Sequence, residues 1–485
     1  MKKFFNYLTV LLFSSLIVLA CSDKDNPPDP DPTPETNEYK YVNDWILENM
    51  SFWYLWNDKI PTNADNTKKP GDYFQSLLYN YGNNSGDRFS WIQENFVDLL
   101  NSLSGVSKEA GYDYELHGYN PNGVFGFVTY IKPDSPAAAA GLKRGDFFWK
   151  INNVSMTQDN YRTLIGQLSD NHTLGLATIG GGYINDGSSI SLEVKEYHES
   201  PIFYDNVYTI NNKKIGYLVY NFFSPNDGDG SIKYDKALNE VFGKFKTNNI
   251  NDLILDLRYN GGGSVSSAIY LASMIVKNLN TNNILIKRKY NSVAQSEIIA
   301  YYGEEFLIDR FKNKIERYDS NDNVLESINL QNVNLPRVYI IASWRTASAS
   351  ELIINGLKPY MDVYLIGGKT VGKNVASISI YEDNDPKNKW GMQPIVSKIT
   401  NSTDFAEFEM GFQPDVEIDE RSYFGDIKPL GDKNEAILAA ALEYITTGAA
   451  PVKVQKKSIA TGDAIRLQKD NRGMYLDSKS LPKFE

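Results

Sequence analysis

Three apolar runs, each closed by a turn of small residues and interleaved with helical patterns, constrain this chain more than any other feature. They lie at 252–260 (DLILDLRYN), 338–343 (VYIIAS) and 362–368 (DVYLIGG). The first leads into GGGSVSSAIYLASMIV, the second into TASASELIINGLK, the third into GKTVGKN. A run this apolar leaves no face for water, so it predicts a strand covered on both sides. IGYLVYNFF (215–223) and the amphipathic SIKYDKALNEVFGKFKTN (231–248) continue the alternation of strand and helix. That alternation predicts a layered α/β core over 201–448.

The chain has 485 residues, which suits two or three domains. Residues 38–104 are aromatic-rich and roughly amphipathic, as in VNDWILENMSFWYLW and DYFQSLLYNY, and predict a helical domain whose Trp and Tyr stripe is core. Residues 105–198 change character: GVFGFVTYI and SISLEVKEY predict strands, and Ser135-Pro136 starts a short Ala-rich helix that Gly141 caps. The stretch 279–333 is polar and is expected to be irregular. The segment 449–485 has no strong period and carries no assignment.

The first residues predict a targeting segment. Lys2 and Lys3 precede an apolar run, 9–20, too short to span a bilayer, so 1–20 is expected to be a signal peptide. Its end, Val18-Leu19-Ala20-Cys21, resembles a bacterial lipobox, which implies lipidation of Cys21, the only cysteine. The Pro- and Asp-rich 21–37 reads as a solvated tether. Ser22 after the cysteine resembles the sorting pattern that leads Gram-negative lipoproteins to the outer membrane. A membrane partner through the lipid anchor is therefore expected. With a net charge of −11 and no basic stripe, nucleic acid is not. No Cys/His cluster suggests zinc, and no metal or cofactor is expected.

TASASE (346–351) has two chemical readings. Ser348 and Glu351 have the S-x-x-E spacing of a capping box at a helix start. A serine there could also be a nucleophile, which needs a base. The histidines, His117, His172 and His198, all fall in 105–198, outside the α/β part, and no Gly-x-Ser-x-Gly elbow surrounds these serines. A buried lysine is the alternative base, and Lys373 and Lys369 in the Gly-rich turn both qualify on chemistry alone. GGGSVS lacks the third glycine of a dinucleotide fingerprint, and GGKT lacks the first glycine of a P-loop.

Two resemblances sharpen this. PDSPAAAAGLKRGD (133–146) closely resembles the PDZ signature of bacterial proteases. It implies that 105–198 is a PDZ domain that engages substrate C-termini, with Val124, Phe125, Gly126 and Phe127 as the carboxylate-binding loop. TASASE, followed by a Gly-rich turn with a lysine twenty-five positions after Ser348, resembles the C-terminal processing peptidases, or tail-specific proteases. LDLRYNGGG and GFQPDVEID match that family's other landmarks in the same order. The resemblance implies a crotonase-like or ClpP-like ββα protease core within a multidomain α/β chain. It also implies Ser348 as nucleophile, Lys373 as general base, and an oxyanion hole from Ala349 with Gly262 or Gly263. Glu351 and Ser377 are candidate supporting residues; Ser377 stands where many relatives carry Gln. Ser350 is expected to be structural. The implied activity is endoproteolysis of extracytoplasmic proteins or peptides. The alternatives are a binding or scaffold lipoprotein that has lost activity, and a non-peptide acyl hydrolase.

Overall fold

The computed structural model describes residues 38–119, 121–180, 183–449, 464–465 and 473–477. Cys21, the signal segment and the tether lie outside the described residues.

The three apolar runs become adjacent strands. Asp252–Asp256, Arg337–Ala342 and Asp362–Gly367 lie side by side and parallel in a six-stranded sheet. Ile202–Ile210 and Lys213–Tyr220 flank them on one edge and Val416–Glu417 on the other. Both faces are covered, which explains the unbroken apolar runs. Leu253, Leu255, Val338 and Ile340 point into one core with the helices Lys233–Thr247, Val265–Ile275 and Ala349–Leu357. Ile254, Tyr339, Ile341 and Ile366 point into the other, against helix Ala436–Thr447.

The stretch 279–333 is regular, contrary to expectation. It holds strands Ile284–Tyr290, Ile308–Arg310, Lys314–Tyr318 and Val324–Asn329 and helix Ser292–Tyr302. Ile284–Tyr290 pairs with Ile395–Asn401, which pairs with Val375–Ser377 in a second sheet. The basic run IKRK disguised this strand. Arg288 is buried yet paired with Asp309 at 3.1 Å, and such pairing is what permits a charge inside.

Residues 38–104 hold helices Lys40–Trp53, Pro70–Leu77 and Phe96–Leu103, with a short strand, Trp91–Gln93, that pairs with Gly391–Gln393. Pro70 sits in the first turn, where its missing N–H costs nothing. Ile46, Met50, Tyr54, Tyr73 and Phe74 form the core of this region, closed by Met392 from the 201–448 part.

Residues 105–198 form an antiparallel sheet with short helices Pro136–Ala139 and Tyr161–Gly166. The Ser135 hydroxyl caps the first of these by accepting the Ala138 N–H. One expectation fails here. Val124, Phe125, Gly126 and Phe127 are not a loop but lie within strand Gly123–Ile131. Their backbone is committed to ladders with Tyr112–Tyr119 and Phe147–Ile151, so they offer no free N–H cradle. Gly126 is required by packing instead: a Cβ there would stand 2.1 Å from the Phe148 ring. Buried charges tie this unit to the core, with Arg144 against Glu420 and Tyr259, and Arg345 to Asp113 at 2.6 Å.

Among the described residues, no helix is long and apolar enough to cross a membrane.

Candidate active site

Parallel neighbours carry their following turns out on the same edge of the sheet, and ligands in such folds gather at those carboxyl ends. Asp256 pairs with Ile341, and Ala342 with Gly367. The glycine turn, the TASASE turn and the GKTVGK turn therefore begin side by side. Asn260 staples the first two: its carbonyl accepts from Ala347 N–H and Ser350 Oγ, both at 3.1 Å, while its Oδ1 accepts the Gly262 N–H at 2.8 Å. The Val371 N–H donates to the Thr346 carbonyl at 3.0 Å and holds the third turn against the second.

Ser348 opens helix Ala349–Leu357 with φ 66° and ψ −115°. A non-glycine residue reaches that region only under strain, and such strain concentrates where geometry serves chemistry. The turn is packed too tightly to relax. A Cβ on Gly262, itself at φ 115°, would lie 2.7 Å from the Ser348 Cβ and 3.1 Å from the Ala349 nitrogen. Both Ser348 and Ala349 are fully buried. The Ser350 hydroxyl is spent on the Asn260 carbonyl.

Glu351 is the hub. Its Oε2 accepts the N–H groups of Ser348 at 2.9 Å and Lys373 at 2.7 Å. Its Oε1 accepts from Thr370 Oγ1 at 2.6 Å and the Gly372 N–H at 2.7 Å. One carboxylate thus forms half of the expected capping box and also clamps the lysine turn to the serine. Burial pushes its carboxyl pKa up, against the pull of these donors. The sequence signalled only the local cap; nothing marked the contacts to a turn some twenty residues on.

Lys373 is 6% exposed, and its Nζ stands 4.8 Å from the Phe89 ring centroid. Ser377 points its hydroxyl at Gln393 Oε1, at 2.6 Å, so a glutamine from strand Gly391–Gln393 stands beside this position. Lys369 is partly exposed in the same turn. The histidines have surroundings of their own: His117 against Phe125 and Phe424, His172 on the Tyr112 hydroxyl, His198 on Asp227. A cleft of 390 Å³ opens here, walled by Arg88, Phe89 and Trp91, by Tyr114 and Leu116, and by Ala347 and Lys373. All three regions of the chain contribute to it.

The segment 473–477 (GMYLD) was missed. It lies along the glycine turn, and the Met474 N–H donates to Ser348 Oγ at 2.5 Å.

The model of Peptidase family S41 matches residues 214–418, and that of the Peptidase S41 N-terminal domain matches 41–91. Proteins of Staphylococcus aureus strain N315 and of Staphylococcus epidermidis, each described as "Probable CtpA-like serine protease", are 24% identical to this chain over 250 and 255 residues respectively. Those matches span 51% of this chain and 42% of each relative. A crystal structure from Bacteroides fragilis NCTC 9343, assigned to the S41 proteases, superposes with a TM-score of 0.65 at 25% identity. It covers 87% of this chain and 99% of that one.

Proposed function

We propose that this chain is a serine endopeptidase of the S41 type, with Ser348 as nucleophile and Lys373 as general base, a reading that the S41 model's match to residues 214–418 and the CtpA-like relatives support. The observation that carries this reading is the Glu351 carboxylate, which binds the backbone of both residues at once. A helix cap alone has no need of the lysine turn. Burial of Lys373 supports the assignment, since a lysine acts as a base where its charge is poorly solvated.

In the proposed reaction Lys373 Nζ takes the Ser348 proton as Oγ bonds to the scissile carbonyl carbon. The C–N bond then breaks, and the leaving amine takes that proton. Water, deprotonated by the same lysine, releases the acyl group and restores the serine. The Ala349 N–H lies at the helix start, where it can stabilise the developing oxyanion. The Gly262 N–H already serves Asn260, which favours Gly263 over Gly262 as the second donor. The substrates we infer are extracytoplasmic proteins or peptides, selected by their C-termini. The 105–198 unit is read as a PDZ domain that presents them, and Cys21 as the lipid anchor in a Gram-negative outer membrane.

The test is labelling by a serine-reactive probe together with cleavage of unstructured proteins. Both should vanish in Ser348→Ala and Lys373→Ala, and Lys369→Ala should retain most activity. Equal losses from the two lysines would refute the base assignment. Labelling independent of Ser348 would leave the binding-module reading.

A further inference from the structure

We propose that residues 473–477 occupy the place of a substrate strand beside Ser348, so that a peptide enters only by displacing this segment of the chain itself. The inference rests on the peptidase reading above and adds how access to the site is controlled.

The backbone of the segment is paired on both sides. Toward the glycine turn, the Tyr475 N–H donates to the Gly263 carbonyl, and the Tyr475 carbonyl accepts from the Val265 N–H, both at 3.1 Å. Toward strand Val375–Ser377, the Ser377 N–H donates to the Met474 carbonyl, and the Leu476 N–H to the Ser377 carbonyl, both at 3.0 Å. It is therefore a strand inserted between two edges, the geometry by which folded domains bind extended peptides.

The side chains alternate as a strand requires. Met474 and Leu476 are 1% and 2% exposed and join the same core as the serine helix. Asp477 accepts from Ser264 Oγ at 2.8 Å and the Ser266 N–H at 2.9 Å, at the start of helix Val265–Ile275. Gly473 lies against the lysine: a Cβ there would stand 1.7 Å from Lys373 Nζ. Further back, Ala464–Ile465 pairs with strand Tyr112–Tyr119, a second anchor on the neighbouring unit.

The chemistry marks the segment as a block and not as a bond about to be cut. Attack needs a carbonyl carbon facing Ser348 Oγ. Here an amide N–H faces it and engages the lone pair that would attack. Gly473 at the same time covers the lysine head. The slot therefore favours an extended peptide with apolar residues at the Met474 and Leu476 places and an acid at the place of Asp477.

The experiment uses the full chain. Met474→Asp/Leu476→Asp should eject the segment, and Asp477→Asn should loosen it while leaving the apolar fill intact. Probe labelling of Ser348 should rise at least tenfold in the double variant and severalfold in Asp477→Asn. A fluorescent Gly-Met-Tyr-Leu-Asp peptide should bind the double variant, not the parent, and should suppress its labelling. Labelling unchanged in folded Asp477→Asn, with no peptide binding to the double variant, would overturn the inference. Peptide binding with no labelling of any form would keep the slot and its occupant and remove the peptidase reading instead.

Discussion

Replacing Glu351 by glutamine changes one atom in the hub and tests the site's assembly. The carboxylate takes four donors, two on each oxygen. A glutamine keeps one accepting oxygen, and its NH2 must face one of the two pairs. The cheaper choice is toward Thr370 and Gly372, because a hydroxyl can turn and accept. That leaves the Gly372 N–H facing another donor, at about 1–3 kcal/mol for one buried unsatisfied group. The remaining bonds also lose their charge assistance, about 1 kcal/mol more. Against this, the substitution removes the burial cost that raises the Glu351 pKa. The losses sum to about 2–4 kcal/mol, and with that relief set against them the net expectation is a loss of about 1–3 kcal/mol in urea unfolding. Because Gly372 precedes Lys373, the lysine turn should shift, and a displacement of about 1 Å can cost roughly a hundredfold in rate. The labelling rate of Ser348, measured per folded molecule, should fall by about that factor. Glu351→Asp, which keeps the charge on a shorter arm, should recover part of it. A Glu351→Gln protein that unfolds at the parent's urea concentration and labels at the parent's rate would show that the clamp plays no part.

Gly262→Ala should destabilise the chain by about 1–3 kcal/mol and abolish labelling, since the new methyl would meet Ser348 Cβ at 2.7 Å from a backbone held at φ 115°; a labelled, parent-like protein would contradict the packing described. Asp235 is buried with its Oδ1 lacking a hydrogen-bond partner, and burial pushes its carboxyl up to about 8 from 3.8. Its ionisation therefore costs stability as pH climbs from about 4 to 8, and Asp235→Asn should raise stability at pH 8 by on the order of 1–3 kcal/mol but not at pH 4, read by unfolding at both. Burial pushes Glu420 the other way from Arg144 and Arg258, and the arginines prevail, holding it at about 2 against 4.5. Its contribution is complete above about pH 4.5 and drains as pH falls toward 2, so Glu420→Gln should flatten the acid limb of a stability profile.

Much of the core was legible because its physics is local. A strand covered on both faces must be apolar throughout, and Leu253 to Leu255 show it without any partner being known. Chemistry alone, with the histidines placed elsewhere, left Ser348 and Ser350, and Lys369 and Lys373, all open, and only the resemblance to the C-terminal processing peptidases singled out Ser348 and Lys373. The illegible parts depended on distant neighbours. Arg288 hid a buried strand behind a charge whose partner, Asp309, sits on another strand. Gly126 suggested a ligand loop but answers to the ring of Phe148. Glu351 looked like a cap, and its grip on the lysine turn exists only once two strands are adjacent. GMYLD is five residues long, too short for a two-residue period to stand out, and its meaning lies in the slot that receives it.

On the role proposed for Ser348, its backbone puts stability and activity in opposition at one codon. Glycine would take φ 66° and ψ −115° without strain, but it has no hydroxyl to offer. The most comfortable residue for that turn is therefore one that silences it. Random drift toward a sturdier fold leads away from catalysis here, and only selection on turnover can keep a side chain where the chain itself would sooner have none.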